Sequence, residues 1–546
     1  MTTADGKQQQ GDAGKDELGI LPEWNLDDLY PGPDSEEFSR DLEKYASMAS
    51  EFAGQWRGQL DGAAREAAGG SRLAQAISAY EALSDLGGRL GSYAQLYYVG
   101  DTTDAGRSKF YGDVQQKLNA ISSGLLFFEL ELNRIDDAVM DECLKTPGLA
   151  HYRPWLDDLR KERPHQLDDE IEELFHEKSL TSGGAWNRLF DETMAALTFD
   201  VDGKELALEP VLAMMSDKDG AVRKKGADAL ARTFADNISL FTRITNTLAK
   251  DKEISDRWHK FDDVADSRHH ANRVERPVVE ALVKTVVEMY PSLSHRYYAM
   301  KAKWLGVDRL AHWDRNAPLP DEDSSIVKWD DARKTVLSAY GDFDSRMAAI
   351  AGEFLDKGWI DAPVRKGKAP GAFAHPTVPS AHPYVLVNYQ GKIRDVMTLA
   401  HELGHGVHQV LAAGQGALMA PTPLTLAETA SVFGEMLTFQ RLLDEASDPG
   451  RRKAMLASKV EDMLNTVVRQ IAFYCFERKV HTTARREGEL TGEQLGEIWL
   501  DVQKESLGPA IEFHDGYEVF WAYIPHFIHA PFYVYAYAFG DCLVNS

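Results

Sequence analysis

The stretch from residue 393 to residue 410 reads IRDVMTLAHELGHGVHQV, and the interpretation of the whole chain starts from it. Its apolar residues recur every three or four positions, which predicts an amphipathic helix. Residues four apart project from the same face of a helix, so His401 and His405 can both reach one tetrahedral zinc ion. Glu402 is then placed to contact a zinc-activated water, as a general base does. The alternative is an ordinary pair of buried or surface histidines on a helix.

A catalytic zinc site needs a third protein ligand. The metzincin pattern is excluded, because His408 and Leu411 stand where that pattern requires glycine and histidine. The preferred candidate is Glu428, within TLAETAS at 425–431. In the alternative interpretation, Thr425 and Glu428 form a capping box, and the carboxylate only binds the backbone of Thr425. Glu435, two turns further along the same face, either orients a ligand or is itself the third ligand.

Composition narrows the classes of partner. The chain has 546 residues, with 60 Lys and Arg against 86 Asp and Glu, which gives a net charge of −26. Such a surface repels phosphate backbones and anionic lipids, so we expect neither nucleic-acid nor membrane partners. No stretch of about 18 apolar residues predicts a membrane span, and the N-terminus lacks the apolar core of a signal peptide. The 3 cysteines form no paired motif, which favours a reducing compartment, the cytoplasm.

Helical periodicity dominates the chain outside two segments. Residues 197–201 and 204–208 flank Asp202-Gly203, which predicts a β-hairpin with a type I′ turn. The second segment, 364–390, is rich in Gly, Pro and His and ends in a run at 384–389 that predicts a strand. His269 and His270 lie in a charged stretch and are expected to be solvated or to lie between domains. We predict a disordered tail at 1–20, an N-terminal helical region at 21–195 and a catalytic region at 196–546.

Several motifs together resemble a known family, the zinc oligopeptidases related to oligoendopeptidase F and thimet oligopeptidase. The oligoendopeptidase F branch is the more similar of the two. The resemblance covers the chain from about residue 20 onward and is most specific between 370 and 540. It is carried by the sequences PGAF at 370–373, YVLVN at 384–388, GKIRDV at 391–396, HELGHGVH at 401–408, ETAS at 428–431 with Glu435, and HFIHAPFY at 526–533.

This resemblance implies a mainly α fold, a large helical zincin ellipsoid with a deep central channel and a small β-sheet beside the HExxH helix. It also implies an endopeptidase that binds one Zn²⁺ per chain and hydrolyses internal bonds of short oligopeptides. Two alternatives stay open. One is a zinc carboxypeptidase or dipeptidase on a related helical scaffold, and the other is a zinc-bound scaffold that binds peptides without hydrolysing them.

The resemblance assigns the metal site and the base residue by residue. Glu402 is implied as the general base. The metal ligands are implied to be His401, His405 and Glu428.

The resemblance also implies how a peptide is bound and polarised. The strand at 384–388 would pair with the substrate backbone by β-augmentation, and its alternation agrees with that role. The residues implied in this pairing are Tyr384, Leu386 and Asn388. Oxyanion donors are implied to be His526, Tyr533 and Tyr537.

For the tyrosines, the alternative is that they pack as core in an aromatic-rich helix. Chains of the family continue past the segment that matches 540–543, whereas this sequence ends at Ser546. We therefore expect looser packing around His526 and Tyr533.

Overall fold

The computed structural model describes residues 18–319 and 326–546, so the predicted tail lies outside the described residues except for its last three positions. Helices make up most of the described chain, and the fold is mainly α as predicted. None of these helices combines the length and the apolar character needed to cross a membrane. The helices are α1 (Glu36–Trp56), α2 (Leu60–Ala64), α3 (Gly69–Val99), α4 (Ala105–Ser123), α5 (Phe127–Arg134), α6 (Asp137–Cys143), α7 (Pro147–Ala150), α8 (Arg153–Lys161), α9 (Asp169–Lys178), α10 (Gly183–Ala196), α11 (Leu208–Met214), α12 (Gly220–Asp236), α13 (Ile238–Trp258), α14 (Asp266–Ala271), α15 (Arg276–Met289), α16 (Arg296–Trp304), α17 (Trp329–Phe343), α18 (Ser345–Asp356), α19 (Ile393–Ala412), α20 (Leu424–Glu445), α21 (Pro449–Leu464), α22 (Gln470–Glu487), α23 (Gly492–Leu507), α24 (His526–His529) and α25 (Tyr535–Val544).

Short strands and tight helical turns complete the structure. The strands are β1 (Phe199–Val201), β2 (Lys204–Leu206), β3 (Leu310–Ala311), β4 (Ile360–Asp361), β5 (Phe373–His375), β6 (Tyr384–Leu386) and β7 (Ile511–Glu512). The π-helical turns are Pro291–His295 and Asn465–Arg469, and the 3₁₀ turns are His312–Asp314, Ala413–Gln415 and Tyr517–Tyr523.

The predicted hairpin is confirmed. β1 and β2 pair antiparallel, and Val201 lies opposite Lys204. The two residues between them have positive φ angles, 54° at Asp202 and 80° at Gly203, as a type I′ turn requires. Aspartate and glycine tolerate that backbone region better than other residues, which explains why this turn was visible in the sequence.

The buried side chains form two apolar cores, and the chain passes between them more than once. The first lobe is built from residues 29–156 and 329–407, and the second from residues 190–310 and 464–538. α19 lies in the first lobe and α25 in the second, while α20 contacts both of these helices. The second core begins at Phe190, and residues 329–407 return to pack on the N-terminal helices.

Two glycines allow α20 to approach its neighbours at backbone contact. A Cβ atom on Gly404 of α19 would lie 2.6 Å from the carbonyl oxygen of Ala430. A Cβ atom on Gly540 of α25 would lie 2.7 Å from the Cβ of Glu428. Real side chains do not tolerate such distances, so both crossings require the absence of a side chain. These contacts set how far Glu428 lies from the histidines of α19.

We predict that Gly404→Ala pushes α19 and α20 apart and destabilises the protein by about 1–3 kcal/mol, as overpacking does elsewhere. The measurement is the midpoint of thermal unfolding. Gly352→Ala in α18 is the matched control, because a Cβ atom there meets nothing within 4 Å. Alanine also favours a helix over glycine, so the control should unfold at the same or a higher temperature. Equal midpoints for both variants would contradict a close crossing at Gly404.

Candidate metal centre and active site

Three side chains from two helices converge on one point. Nε2 of His401 and Nε2 of His405 lie 3.4 and 3.6 Å from Oε2 of Glu428. Tetrahedral ligands placed 2.0–2.1 Å from a metal ion are about 3.4 Å apart, so the spacing matches. Among the described residues, this is a group whose ligand atoms all lie within 4.8 Å of one another and that could hold a metal ion.

The position of Glu428 decides between its two interpretations. α20 is capped by Pro423, and the hydroxyl of Thr425 donates to the carbonyl oxygen of Asn272 at 3.1 Å. The Glu428 carboxylate, which is buried, points toward the histidines. The capping-box interpretation is therefore wrong, and the structure brings together the residues that the sequence proposed as ligands.

Glu435 lies behind the ligands. Its Oε2 atom is 3.3 Å from Nδ1 of His401, and its Oε1 atom accepts a hydrogen bond from Nζ of Lys459 at 2.7 Å. Burial would raise the pKa of Glu435, but His401 and Lys459 hold it below its ordinary value. Glu435 thus orients the His401 ring from the side opposite Glu428. Lys459, which no sequence motif indicated, holds Glu435 in place against His401.

The charges of the cluster favour a cation. Burial disfavours a charge on His401, yet its hydrogen bonds with Glu428 and Glu435 raise its pKa to about 10. Burial likewise acts to raise the pKa of Glu428, but the two histidines hold it well below its ordinary value. A site that binds a proton this strongly provides the negative potential that a metal ion needs.

Glu402 is placed as a base should be. It is 6% exposed, and burial raises the pKa of its carboxyl group above the ordinary value. The backbone N–H of Ala374, in β5, donates a hydrogen bond to this carboxylate. The base is therefore held between the ligand helix α19 and the small sheet.

A cluster of aromatic side chains from the second lobe faces the ligands. The Tyr533 hydroxyl donates to Oε1 of Glu428 at 2.8 Å, and the Tyr537 hydroxyl lies 3.0 Å from Nε2 of His526. The rings of His526 and Tyr533 stack, with centroids 5.5 Å apart. All three side chains are half-buried, whereas Tyr535 is fully buried and points away from the ligands toward His269. The core interpretation thus applies to Tyr535, and the other two tyrosines lie at the site.

The assignment of Tyr384, Leu386 and Asn388 to substrate binding is not supported. β6 is the central strand of its sheet, paired in parallel with β4 and antiparallel with β5. Tyr384 and Leu386 are fully buried, and the amide of Asn388 donates to the carbonyl oxygens of Ala369 and Gly371. The prediction that this strand accepts a peptide is wrong, because both of its edges are already paired.

β5 is an outer strand of the sheet, and its free edge is the one that pairs with no other strand of the described chain. The N–H of Val385 donates to Trp359 on the β4 side, so Tyr384 and Leu386 turn their peptide groups toward β5. In the β5 register, Phe373 and His375 pair with them, which leaves the peptide groups of Ala374 turned outward. Its carbonyl oxygen accepts from the side chain of Gln409 at 3.1 Å. The sequence did not reveal β5 as the edge strand, because its three residues carry no alternating β-branched pattern.

A mainly helical body that brings an HExxH helix and a distant glutamate into one cluster defines a metallopeptidase class. Residues 339–541 match the description "Peptidase family M3", and residues 131–199 match "Oligopeptidase F". The chain is 27% identical over 557 residues to oligopeptidase PepF of Bacillus subtilis (strain 168), covering 99% of this chain and 80% of that protein. It is 29% identical over 464 residues to group B oligopeptidase PepB of Streptococcus agalactiae, covering 83% of this chain and 76% of that protein.

Solved structures show the same fold. The structure of oligoendopeptidase-F from Enterococcus faecium superposes with a TM-score of 0.69 at 21% identity, covering 93% of this chain and 87% of that one. Residues 339–541 are thus similar to peptidase family M3, and the chain is similar in sequence to oligoendopeptidases F and oligopeptidases.

We predict that Glu435→Ala lowers the affinity for Zn²⁺ by about 10- to 100-fold, because His401 loses the partner that fixes its ring. Competition with a chromogenic chelator measures this affinity. Glu445→Ala on the same helix is the control, since Glu445 is exposed and pairs with Arg441 on the surface. Equal affinities in the two variants would mean that Glu435 does not support the ligand.

Proposed function

We propose that this chain is a zinc-dependent endopeptidase that hydrolyses internal bonds of short oligopeptides. The observation that carries the proposal is the spacing of His401, His405 and Glu428, with Glu402 held beside them. Two imidazoles and one carboxylate are a typical donor set of catalytic zinc, and they leave a fourth position for water or substrate. The match of residues 339–541 to peptidase family M3 supports the same chemistry, with one ion per chain.

The roles of the first-lobe residues follow from their placement. His401, His405 and Glu428 would hold the zinc ion, which when bound supplies a Lewis acid that polarises a carbonyl group and acidifies water. Glu402 takes the proton of the attacking water and delivers it to the leaving amine. Burial raises the pKa of Glu402, and this brings the carboxylate closer to the range in which it can both accept and release a proton.

In this mechanism the second-lobe residues donate hydrogen bonds to the developing oxyanion, and the Tyr533 hydroxyl turns from Glu428 to do so. Burial raises the pKa of Tyr533 and Tyr537 far above the ordinary value, so both hydroxyls keep their protons. Burial lowers the pKa of His526, so its ring is neutral and carries a single N–H. A preorganised donor of this kind typically contributes about 3–4 kcal/mol to lowering the barrier.

We predict that Glu402→Gln retains Zn²⁺ but hydrolyses a peptide about 10²- to 10⁴-fold more slowly, because glutamine cannot accept the proton. The assay is a quenched fluorescent peptide blocked at both ends, with metal content measured in parallel. Glu445→Gln is the matched control and should keep full activity. Unchanged turnover in Glu402→Gln would refute the mechanism.

The same assay separates the alternatives. Cleavage of a doubly blocked peptide excludes a carboxypeptidase or dipeptidase, which needs a free terminus. Zinc binding without any cleavage would favour a non-hydrolytic peptide-binding scaffold. The presence of a buried Glu402 beside the ligands argues against that scaffold, since a structural site needs no base.

We further propose that the substrate backbone pairs with the outer edge of β5 rather than with β6, in place of the contacts that Ala374 makes there with Gln409 and Glu402. Paired backbones alternate, so only every second N–H of the peptide would face β5. Replacing a facing N–H by N–CH₃ is expected to raise KM about fivefold, the effect of losing one hydrogen bond, and the same change one residue along is expected to leave KM unchanged. KM values across a series of singly N-methylated peptides give the test. A uniform KM along the series would contradict strand pairing.

The proposed compartment is the cytoplasm. Cys143, Cys475 and Cys542 are all free. Unpaired cysteines at these scattered positions are typical of proteins kept in a reducing environment. The proposed partners are short peptide substrates.

A further inference from the structure

The short segment 266–273, which is α14 and the two residues that follow it, contacts both α20, which carries Glu428, and α25, which carries Tyr537. The Asn272 carbonyl oxygen accepts from the hydroxyl of Thr425, near the start of the ligand helix α20, at 3.1 Å. The Asn272 side-chain amide donates to the hydroxyl of Tyr535, the first residue of α25, at 2.8 Å. Asn272 itself is 1% exposed. One buried residue therefore links two elements that are far apart in sequence.

His269, in the same segment, was expected to be solvated or to lie between domains, and it is buried. It is 3% exposed, and its Nδ1 atom lies 3.1 Å from the Tyr535 hydroxyl. Burial lowers the pKa of His269 to about 4, so the ring is neutral and its Nδ1 atom can accept a hydrogen bond. The Tyr535 hydroxyl can thus accept from Asn272 and donate to His269. Both polar contacts of this buried hydroxyl come from one short segment.

We propose that Asn272 is a positioning residue that fixes Tyr533 relative to Glu428. The proposal rests on the proposed function, because it concerns the same oxyanion donor and the same ligand.

The contacts form a closed ring. Thr425 lies one helical turn before Glu428, so the two share a face of α20. The Tyr533 hydroxyl donates to Glu428, and Tyr535 follows Tyr533 by two residues. Asn272 contacts Thr425 through its carbonyl oxygen and Tyr535 through its side-chain amide, and these two contacts close the ring. If either contact is lost, the ring opens, and the hydrogen bond from Tyr533 to Glu428 loses the support of Asn272.

The loop that carries Tyr533 needs such external support. Phe532 has a φ angle of 63°, a left-handed conformation that a bulky residue rarely adopts. Its N–H donates to the buried carboxylate of Glu477 at 2.8 Å. Arg268, from the same segment as Asn272, donates to the carbonyl oxygen of Pro531 at 3.0 Å. The surroundings, rather than the preference of the loop itself, impose this backbone.

The test removes the ring contacts one at a time without changing side-chain shape. Thr425→Val and Tyr535→Phe each delete one hydroxyl. Each variant is expected to lower kcat about five- to tenfold, as the loss of one hydrogen bond in positioning does, with KM and Zn²⁺ content unchanged. The double variant is expected to be no slower than the slower single variant, because both changes open the same ring.

Matched controls delete hydroxyls outside the ring. The hydroxyl of Thr438 donates to Gly434 of its own helix at 3.0 Å, and that of Tyr517 donates to Gln503 at 3.2 Å. Thr438→Val and Tyr517→Phe should keep the wild-type kcat. Asn272→Ala, which removes only the side-chain contact with Tyr535, should lower kcat about as much as Thr425→Val, and adding Thr425→Val to it should have no further effect.

Three outcomes would overturn the proposal: a wild-type kcat in both ring variants, an equal loss of kcat in the controls, or fully independent effects in the double variant. Failure of the proposed function is a different result. It would show as the absence of Glu402-dependent hydrolysis in the unmodified chain. Failure of the positioning proposal would show as Glu402-dependent hydrolysis that Thr425→Val and Tyr535→Phe leave unchanged.

Discussion

The backbone contact between α19 and α20 at Gly404 is the constraint on which the site depends. A metal ion requires its ligand atoms within a few ångströms of one another, so the helices that carry them must cross at a fixed distance. Because Gly404 meets the carbonyl of Ala430 directly, Glu428 comes within 3.4 Å of His401. The same crossing brings Glu435 to the other side of the His401 ring, so one contact both builds the ligand set and orients it.

The remaining chemistry comes from packing two lobes against each other. The first lobe contributes the base Glu402 and the free edge of β5, and the second contributes His526, Tyr533 and Tyr537. α20 lies between them and carries Glu428. The proposed oxyanion donors are therefore in place only when the second lobe packs on α20, at the close crossing of Gly540 with Glu428. The ring through Asn272 fixes this same relationship from behind.

Local signals in the sequence predicted some elements well and misassigned others. Asp202-Gly203 predicted its hairpin because the turn type depends on those two residues alone. The run at 384–389 predicted β6, because apolar and β-branched residues favour a buried strand. β6 is paired on both sides, with β4 and β5, and this leaves it no edge for a peptide. The sequence did not predict β5, because a strand of three residues is too short to show an alternating pattern. It forms because its backbone pairs with β6. His269 could not be recognised as buried, because its surroundings come from Tyr474 and Tyr535, more than 200 residues away.

The sequence by itself determined the ligand helix, the pairing of His401 with His405, the neighbouring base, and Glu428 as the preferred third ligand. Each of these follows from the 3.6-residue period of one helix or from a short motif, which is information contained within a few turns. Only the tertiary structure decided that Glu435 supports His401, that Tyr533 and Tyr537 rather than Tyr535 face the site, and that β5 rather than β6 offers a free edge. These depend on which backbones meet across the fold, and that is set by the packing of segments far apart in the chain.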